Sequence, residues 1–397
     1  MKILITALEP SGDRLAAGLM RELRAKMQRQ KPAKKLEFYG VGGPAMRAEG
    51  LHMLQPMEQL AAMGLVEVLP IIPRIWACLR RLVAWVEMEK PALVVCVDGQ
   101  DFSARLAARL RKLAKPTPCV LYAAPKVWAW RPKRAAKLRE LYDAVLCLLP
   151  FEVDFLADFG VSAEYVGHPA VALAAGSVQD IQLELALLPG SRGAELRRHW
   201  PLMLATLRRL CQLVPQLRGL LVLPDEAALA VCRNLADFSA EDGIEVVVGE
   251  GRFAALARCR AALAKSGTNT LELALLGVPA VVCYRLHGLS YWLAKRLVTL
   301  PLFSLPNLVL NPQILRGGAV GEVVYPEYIQ AAATPENLGR ALYPLLVTDK
   351  ARGRQLKLLA KVRQAMEHVG GKPIGSPAEK AAAACIKILA RGPNRPA

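Results

Sequence analysis

Short runs rich in Val, Leu and Ile alternate with longer helical stretches along almost the whole chain. Five such runs stand in the first half: Lys2–Ala7, Leu36–Gly40, Leu93–Val97, Cys119–Tyr122 and Ala144–Leu148. They are nearly continuously apolar, as strands covered on both faces must be. Between them lie helical patterns such as Arg14–Met27 and Phe102–Lys115. Strand, helix, strand in that rhythm predicts a parallel sheet wound with helices on both sides, an α/β fold.

The rhythm breaks over 170–182, after Val166-Gly167-His168-Pro169, and then resumes. The second series is Leu185–Leu188, Gly219–Leu223, Ile244–Val248, Ala261–Ala264 and Ala280–Tyr284, with helices such as Ala194–Leu213 and Thr270–Leu276 between. A chain of 397 residues accommodates two domains at ordinary domain size. The predicted division is 1–170 and 171–349. The tail carries helices over Pro335–Val347, Ala351–His368 and Ser376–Ala390. Two doubly wound domains in tandem predict a site in a cleft between them, at the carboxyl ends of strands.

Lys and Arg number 52 against 34 Asp and Glu, a formal charge of +18. Such a surface attracts nucleic acid, an acidic membrane or phosphorylated substrates, and charge alone does not choose among them. The nine cysteines form no CxxC and sit mostly in apolar runs, so they read as buried thiols in a reducing compartment. The first apolar run is too short for a signal peptide, and no stretch of about 18 uninterrupted apolar residues is present. The expected location is the cytoplasm, with membrane-surface contact still allowed.

The residues that follow each strand carry the candidate chemistry. Glu9-Pro10-Ser11-Gly12-Asp13 follows the first strand, where Ser11 and Gly12 suit either a ligand-facing turn or an ordinary helix cap. It is not GxGxxG, which disfavours a nicotinamide or flavin enzyme. Asp98 ends the strand Leu93–Val97, a position from which a carboxylate can take a proton from a substrate hydroxyl; Asp101 suits a helix cap equally well. Trp128 and Trp130, bounded by Lys126 and Arg131, either stack on a sugar or lipid or plug the core.

In the second half, Gly190-Ser191-Arg192 follows a strand and opens a helix, and Ser266-Gly267-Thr268 does the same. Small residues let backbone amides approach a phosphate, Arg192 can hold it, and Glu272 one turn on can bind a ribose. Two such loops in one domain point to a nucleoside diphosphate. GxxxxGK[ST] is absent, against a P-loop enzyme. The histidines show no metal-ligand spacing, and no metal or other cofactor is expected. A different character marks Ile71–Val86, where Trp76, Leu79, Val83 and Val86 share a helical stripe among Arg74, Arg80 and Arg81. That fits a helix in an anionic membrane interface or one packed on the sheet. Met63 upstream extends the apolar surface and could cradle acyl chains.

Together these motifs resemble the lipid-A-disaccharide synthase family, inverting glycosyltransferases of the GT-B class. The resemblance runs through Ser11-Gly12-Asp13, Gly40–Pro44, Ala62–Leu69, Asp98–Phe102, Val127–Arg131, Leu149–Glu152, Val166–His168, Leu188–Arg192, Ser266–Thr268, Tyr284-Arg285, Trp292–Val298 and Ser304–Leu308. The chain departs from the family pattern at Leu8, where the family has Gly, and at Ala16-Ala17. It departs again at Gly99, Gln100, Ser103 and Lys126, close to the expected acceptor site.

The resemblance implies two Rossmann-like domains facing across a cleft. The first would bind acceptor and lipid, completed by helices 350–397; the second would bind the UDP-sugar. It implies a donor, UDP-2,3-diacylglucosamine, and an acceptor, 2,3-diacylglucosamine 1-phosphate, giving a β-1,6 disaccharide 1-phosphate and UDP. Asp98 would be the general base; Glu9, Ser11, Gly12, Asp13, Trp128 and Arg131 would shape the acceptor site. Asn307 would join the UDP loops. A peripheral position on the inner face of the cytoplasmic membrane and a homodimer are further expectations. The alternatives are a sugar-nucleotide epimerase of similar fold and a basic nucleic-acid-binding protein; no nucleic-acid partner is expected, because the basic residues are spread over many helices.

Overall fold

In a computed structural model, residues 1–30, 35–60, 72–129, 132–173, 180–239, 242–249, 251–288, 300–369 and 372–391 are described. The chain divides into two compact units, Met1–Pro169 with Lys372–Ala397, and Ala170–Gly371.

The first unit carries strands β1 (Lys2–Thr6), β2 (Glu37–Gly42), β3 (Leu51–Pro56), β4 (Leu93–Val97), β5 (Cys119–Tyr122), β6 (Ala144–Cys147) and β7 (Ala163–Tyr165). They form one sheet in the order β3-β2-β1-β4-β5-β6-β7, every pairing parallel. Order reverses between β1 and β4, so their carboxyl ends open the crevice where ligands of such sheets bind. Helices α1 (Pro10–Gln30), α2 (Pro44–Ala48), α3 (Ile72–Glu89), α4 (Gln100–Leu110), α5 (Ala136–Leu141) and α6 (Pro150–Ala157) make the connections. The helix Pro377–Arg391 lies on α1, where Ala16 and Ala17 meet Ala381, Ala382 and Ala384 in one buried core with Cys385. Small side chains allow that close approach, and Lys26 pairs with Glu379 at 2.8 Å at its edge.

The second unit repeats the design. Strands β8 (Gln182–Leu188), β9 (Arg218–Leu223), β10 (Ile244–Val248), β11 (Cys259–Lys265), β12 (Ala280–Tyr284) and β13 (Glu327–Ile329) run in the order β10-β9-β8-β11-β12-β13, again all parallel. Here the reversal falls between β8 and β11. The connecting helices include α7 (Ala170–Leu173), α8 (Gly193–Leu213), α9 (Glu226–Leu235), α10 (Arg252–Ala257) and α11 (Thr268–Leu275), followed by Leu305–Leu310, Pro335–Val347 and Asp349–Glu367.

Three short strands of these two sheets escape the sequence pattern. β3 contains His52, Gln55 and Pro56, and β7 and β13 are three residues each with Glu in them, so none presents a continuous apolar run. The expected addition of 350–397 to the first unit is corrected: only Lys372 onward belongs there. The helix Asp349–Glu367 is bound into the second unit by Gln355. Its buried amide accepts from Ala280 N at 2.9 Å and donates to Val324 O at 2.7 Å. All nine cysteines are free thiols, and all but the half-buried Cys211 are buried. Among the described residues no helix is long and apolar enough to cross a membrane.

Candidate active site

At the switch point of the first sheet, the chain leaves β4 through two consecutive left-handed residues, Asp98 and Gly99, both with φ 53°. That conformation is uncommon for a side-chain-bearing residue, and Asp tolerates it better than most. Ser103 holds it in place. Its buried hydroxyl donates to Asp98 O at 2.8 Å and its amide donates to Gly99 O at 2.9 Å. The turn aims the Asp98 carboxylate back across the switch point at β1, where it accepts Leu8 N–H at 3.0 Å and Glu9 N–H at 3.2 Å.

Burial pushes the Asp98 carboxyl up to about 7; the Leu8 amide opposes this and the Glu9 charge adds to it. A carboxylate with that affinity for a proton is matched to general-base work near neutrality.

Two glycines make room for it. A Cβ on Gly12 would overlap Asp98 Oδ2, and one on Gly99 would overlap Leu8 Cδ1. The second contact accounts for two departures from the family pattern together: the Leu8 side chain fills space that a side chain on residue 99 would need. Ser103, a third departure, keeps a polar atom that fixes the Asp98 backbone.

Several expected acceptor residues have other work. Helix α1 begins at Pro10, so Ser11, Gly12 and Asp13 lie in its first turn rather than in a turn before it. Asp13 is corrected to a structural role. Its carboxylate is buried and accepts the amides of Gly43 at 2.8 Å, Ala45 at 2.8 Å and Met46 at 3.1 Å, capping α2 from another helix. Glu9 and Ser11 are exposed at the site.

Trp128 is corrected to the core plug. It is buried, sits edge-on to Phe151 at 5.2 Å and donates from Nε1 to Glu152 at 3.2 Å. Burial lifts that Glu152 carboxyl to about 7. His168 is pushed down to about 4 by burial, with the Lys126 charge adding to it, so it is neutral at physiological pH. Arg131 and Met63 lie outside the described residues.

On α3, Trp76 is 44% exposed, whereas Leu79 is wholly buried with Cys78, Leu82 and Val86. The expected lipid-facing stripe is therefore corrected: Leu79 and Val86 face the protein, and Val83 is half-buried. The guanidinium of Arg109 lies 4.6 Å from the centroid of the Trp76 ring and that of Arg105 6.0 Å.

The switch point of the second sheet is an open pocket. Its walls are the carboxyl ends of β8, β9 and β11 with residues of α8, α10 and α11. Gly190, Ser191, Gly267, Thr268 and Glu272, five of the candidate UDP-binding residues, line it. The amino ends of α8 and α11 start at its rim, where backbone N–H groups and helix dipoles favour an anion. Glu272 is paired with Arg252 at 2.9 Å.

Three expected UDP ligands are not on its walls. Arg192 is exposed and forms the N-cap position of α8, and Ser266 is half-buried just after β11. Asn307 is fully buried and spends its amide on the protein itself. It donates to Tyr325 O at 2.8 Å and Glu327 at 2.7 Å and accepts from Val324 N at 2.7 Å and Tyr325 N at 3.0 Å.

Three charged wall residues were not picked out as ligands from the sequence: Glu195, Arg252 and Lys265. Lys265 is the last residue of an apolar strand, the same signal that singles out Asp98. Arg252 reaches the pocket through a pairing twenty residues long in sequence, with no local motif to announce it.

The comparisons with known proteins fall in line with this geometry. The profile of the family described as Lipid-A-disaccharide synthetase matches residues 3–372. The lipid-A-disaccharide synthase of Alkalilimnicola ehrlichii is 40% identical over 371 residues, covering 90% of this chain and 92% of its own. That of Pseudomonas aeruginosa LESB58 is 40% identical over 359 residues, covering 87% and 89%.

Among solved structures, a UDP-GlcNAc 2-epimerase from Neisseria meningitidis bound to UDP-GlcNAc superposes with TM-score 0.58 at 11% identity, over 98% of this chain and 100% of that one. MurG of Acinetobacter baumannii gives 0.51 at 14%, over 97% and 99%. These likenesses show the shared GT-B-like fold, and the epimerase alternative fails on sequence. The chain belongs to the lipid-A-disaccharide synthase family and is a glycosyltransferase of lipid A biosynthesis.

Proposed function

We propose that the chain transfers 2,3-diacylglucosamine from its UDP donor to the 6-hydroxyl of 2,3-diacylglucosamine 1-phosphate, releasing UDP and a β-1,6 disaccharide 1-phosphate. The observation that carries this is Asp98, a half-buried carboxylate with a proton affinity near neutrality at a sheet switch point. In its ionised form it takes the proton of the acceptor hydroxyl as that oxygen attacks the anomeric carbon and inverts it. Two backbone amides hold both its oxygens and set its direction, so little reorganisation is needed. The pocket of the second unit takes the uridine diphosphate, with Glu272 toward the ribose hydroxyls. Helix amino ends at the phosphates stabilise the leaving group as its charge grows.

The acyl chains call for a lipid surface. The exposed Trp76, framed by Arg105 and Arg109, supports contact of the first unit with an anionic membrane face, because indole sits at headgroup level and arginine pairs with phosphate.

The test is UDP release from UDP-2,3-diacylglucosamine with and without the acceptor. Acceptor-dependent release with a disaccharide product by mass is expected. Release that ignores the acceptor, or none with this pair, overturns the substrate assignment. Retention on anionic vesicles, weaker for Trp76→Ser than for the parent chain, tests the membrane face.

A further inference from the structure

We propose that Lys265 is the diphosphate ligand of the second unit's pocket, and that Glu195 is its built-in counter-ion, which the nucleotide competes with and which helps expel UDP. This rests on the nucleotide reading above and deepens it.

The geometry is that of a junction. Lys265 closes β11 and its ammonium lies 2.9 Å from Glu195 Oε1. The same ammonium would be 3.6 Å from a Cβ placed on Gly267 and is 5.3 Å from the centroid of the Tyr284 ring. Glu195 reaches back from the first turn of α8. Its Oε2 accepts the amide of Ser191 at 3.2 Å and lies 2.5 Å from where a Cβ on Gly190 would stand. The ammonium and carboxylate thus sit where the two small-residue loops converge. Both side chains are about one-sixth exposed and both line the pocket.

His199 fixes the helix end beneath them. Its Nε2 accepts Arg285 N–H at 3.0 Å, which leaves Nδ1 to donate to Glu195 O at 2.8 Å.

The charge balance gives the pair its purpose. Four charged side chains line the pocket and they form two neutral pairs, Lys265 with Glu195 and Arg252 with Glu272. The Glu195 carboxylate lies at the amino end of α8, the place an anion from solution would take. Burial alone would raise its carboxyl. The bond and charge of Lys265, with the Ser191 and Arg192 amides, outweigh burial and hold it below the ordinary value.

A diphosphate entering the pocket draws the ammonium from one anion to another. Free UDP carries more negative charge than its sugar ester, so Lys265 favours the leaving group over the donor. Glu195 then opposes a tight product complex.

The experiment is calorimetric titration of UDP and of uridine into the full chain and into Lys265→Met, Lys265→Arg and Glu195→Gln. Lys265→Met should weaken UDP at least about tenfold and leave uridine unchanged, since only the diphosphate meets the ammonium. Lys265→Arg should keep most of the affinity. Glu195→Gln should bind UDP several-fold more tightly, because the ammonium is released from a competing charge.

Wild-type UDP affinity in Lys265→Met overturns the assignment. So does equal loss of UDP and uridine there, which would make Lys265 a strut of the fold. Unchanged or weaker UDP binding in Glu195→Gln overturns the counter-ion. A parent chain that binds neither UDP nor uridine overturns the nucleotide reading itself.

Discussion

The two sheets share one topology and solve the switch point in opposite ways. In the first, the residue after β4 is a half-buried carboxylate held by amides from the residues after β1. In the second, the end of β11 is a lysine tied to a carboxylate of the helix after β8. Burial without a cation raises a carboxyl; burial beside one lowers it. Asp98 moves to about 7 and Glu195 moves down, the one at the end of a strand and the other in the first turn of a helix beside a lysine. Each switch point carries a carboxylate, and a neighbouring cation decides whether it is suited to be a base or a counter-ion.

The sharpest way to break this contrast is Asp98→Asn. Asn keeps the shape and can still accept one of the two amides through its oxygen, but it cannot take a proton. Turnover should fall about a thousandfold, while UDP affinity stays at the parent value. Near-normal turnover would remove Asp98 as base and with it the difference between the two switch points.

Glycine substitutions come next. In Gly12→Ala the added methyl overlaps Asp98 Oδ2, and neither backbone can yield easily. A cost of about 1–3 kcal/mol in stability is expected, and turnover should drop roughly tenfold or more as the base is displaced. Gly190→Ala meets both the carboxylate and the Cβ of Glu195 at a backbone with φ 117°. Its effect should appear in UDP affinity, with the turnover of saturated enzyme changed less. Melting midpoints and a KM-against-kcat comparison separate the two.

The pH dependence follows from the raised Asp98 carboxyl. With Asp98 as the proposed base, activity requires its ionised form, so kcat/KM should rise about tenfold per pH unit below about 7 and level off above it. Stability runs the other way. The folded state holds this proton more tightly than the unfolded chain, whose carboxyl has the ordinary value of 3.8. That contribution is complete below about pH 3.8 and is lost as pH rises through about 7. Asp98→Asn should therefore gain stability relative to the parent chain between pH 4 and pH 8, by a few kcal/mol at most. Glu152 titrates in the same range, so the quantity to read is the difference between the two chains.

Long, uniformly apolar strands and the residues directly after them were legible in the sequence. Asp98, Gly190, Ser191, Gly267 and Thr268 all come from that one rule, because a strand's carboxyl end is a place the topology guarantees. What stayed hidden depends on long-range packing. Asp13 looks like a site residue until α2 is seen to need a cap from elsewhere. Asn307 looks like a ligand until its four bonds to Val324, Tyr325 and Glu327 are traced. Leu79 and Trp76 are three residues apart, close on a helix wheel, yet one is buried and the other exposed. Periodicity places a stripe on a helix without saying which edge of the stripe the neighbouring helix covers.

The smallest effect sharpens the second switch point. Glu272 and Glu195 both line its pocket and both carry a cation partner, yet they are assigned different halves of the nucleotide. Glu272→Gln keeps one acceptor oxygen and loses the charge that strengthens bonds from the ribose hydroxyls. UDP and uridine should weaken together, by about three- to tenfold, since both contain the ribose. Glu195→Gln should change UDP alone, and in the opposite direction. If Glu272→Gln weakened UDP but not uridine, the Arg252–Glu272 pair would belong to the phosphates, and the two pairs would form a single charge relay around the diphosphate with no ribose contact.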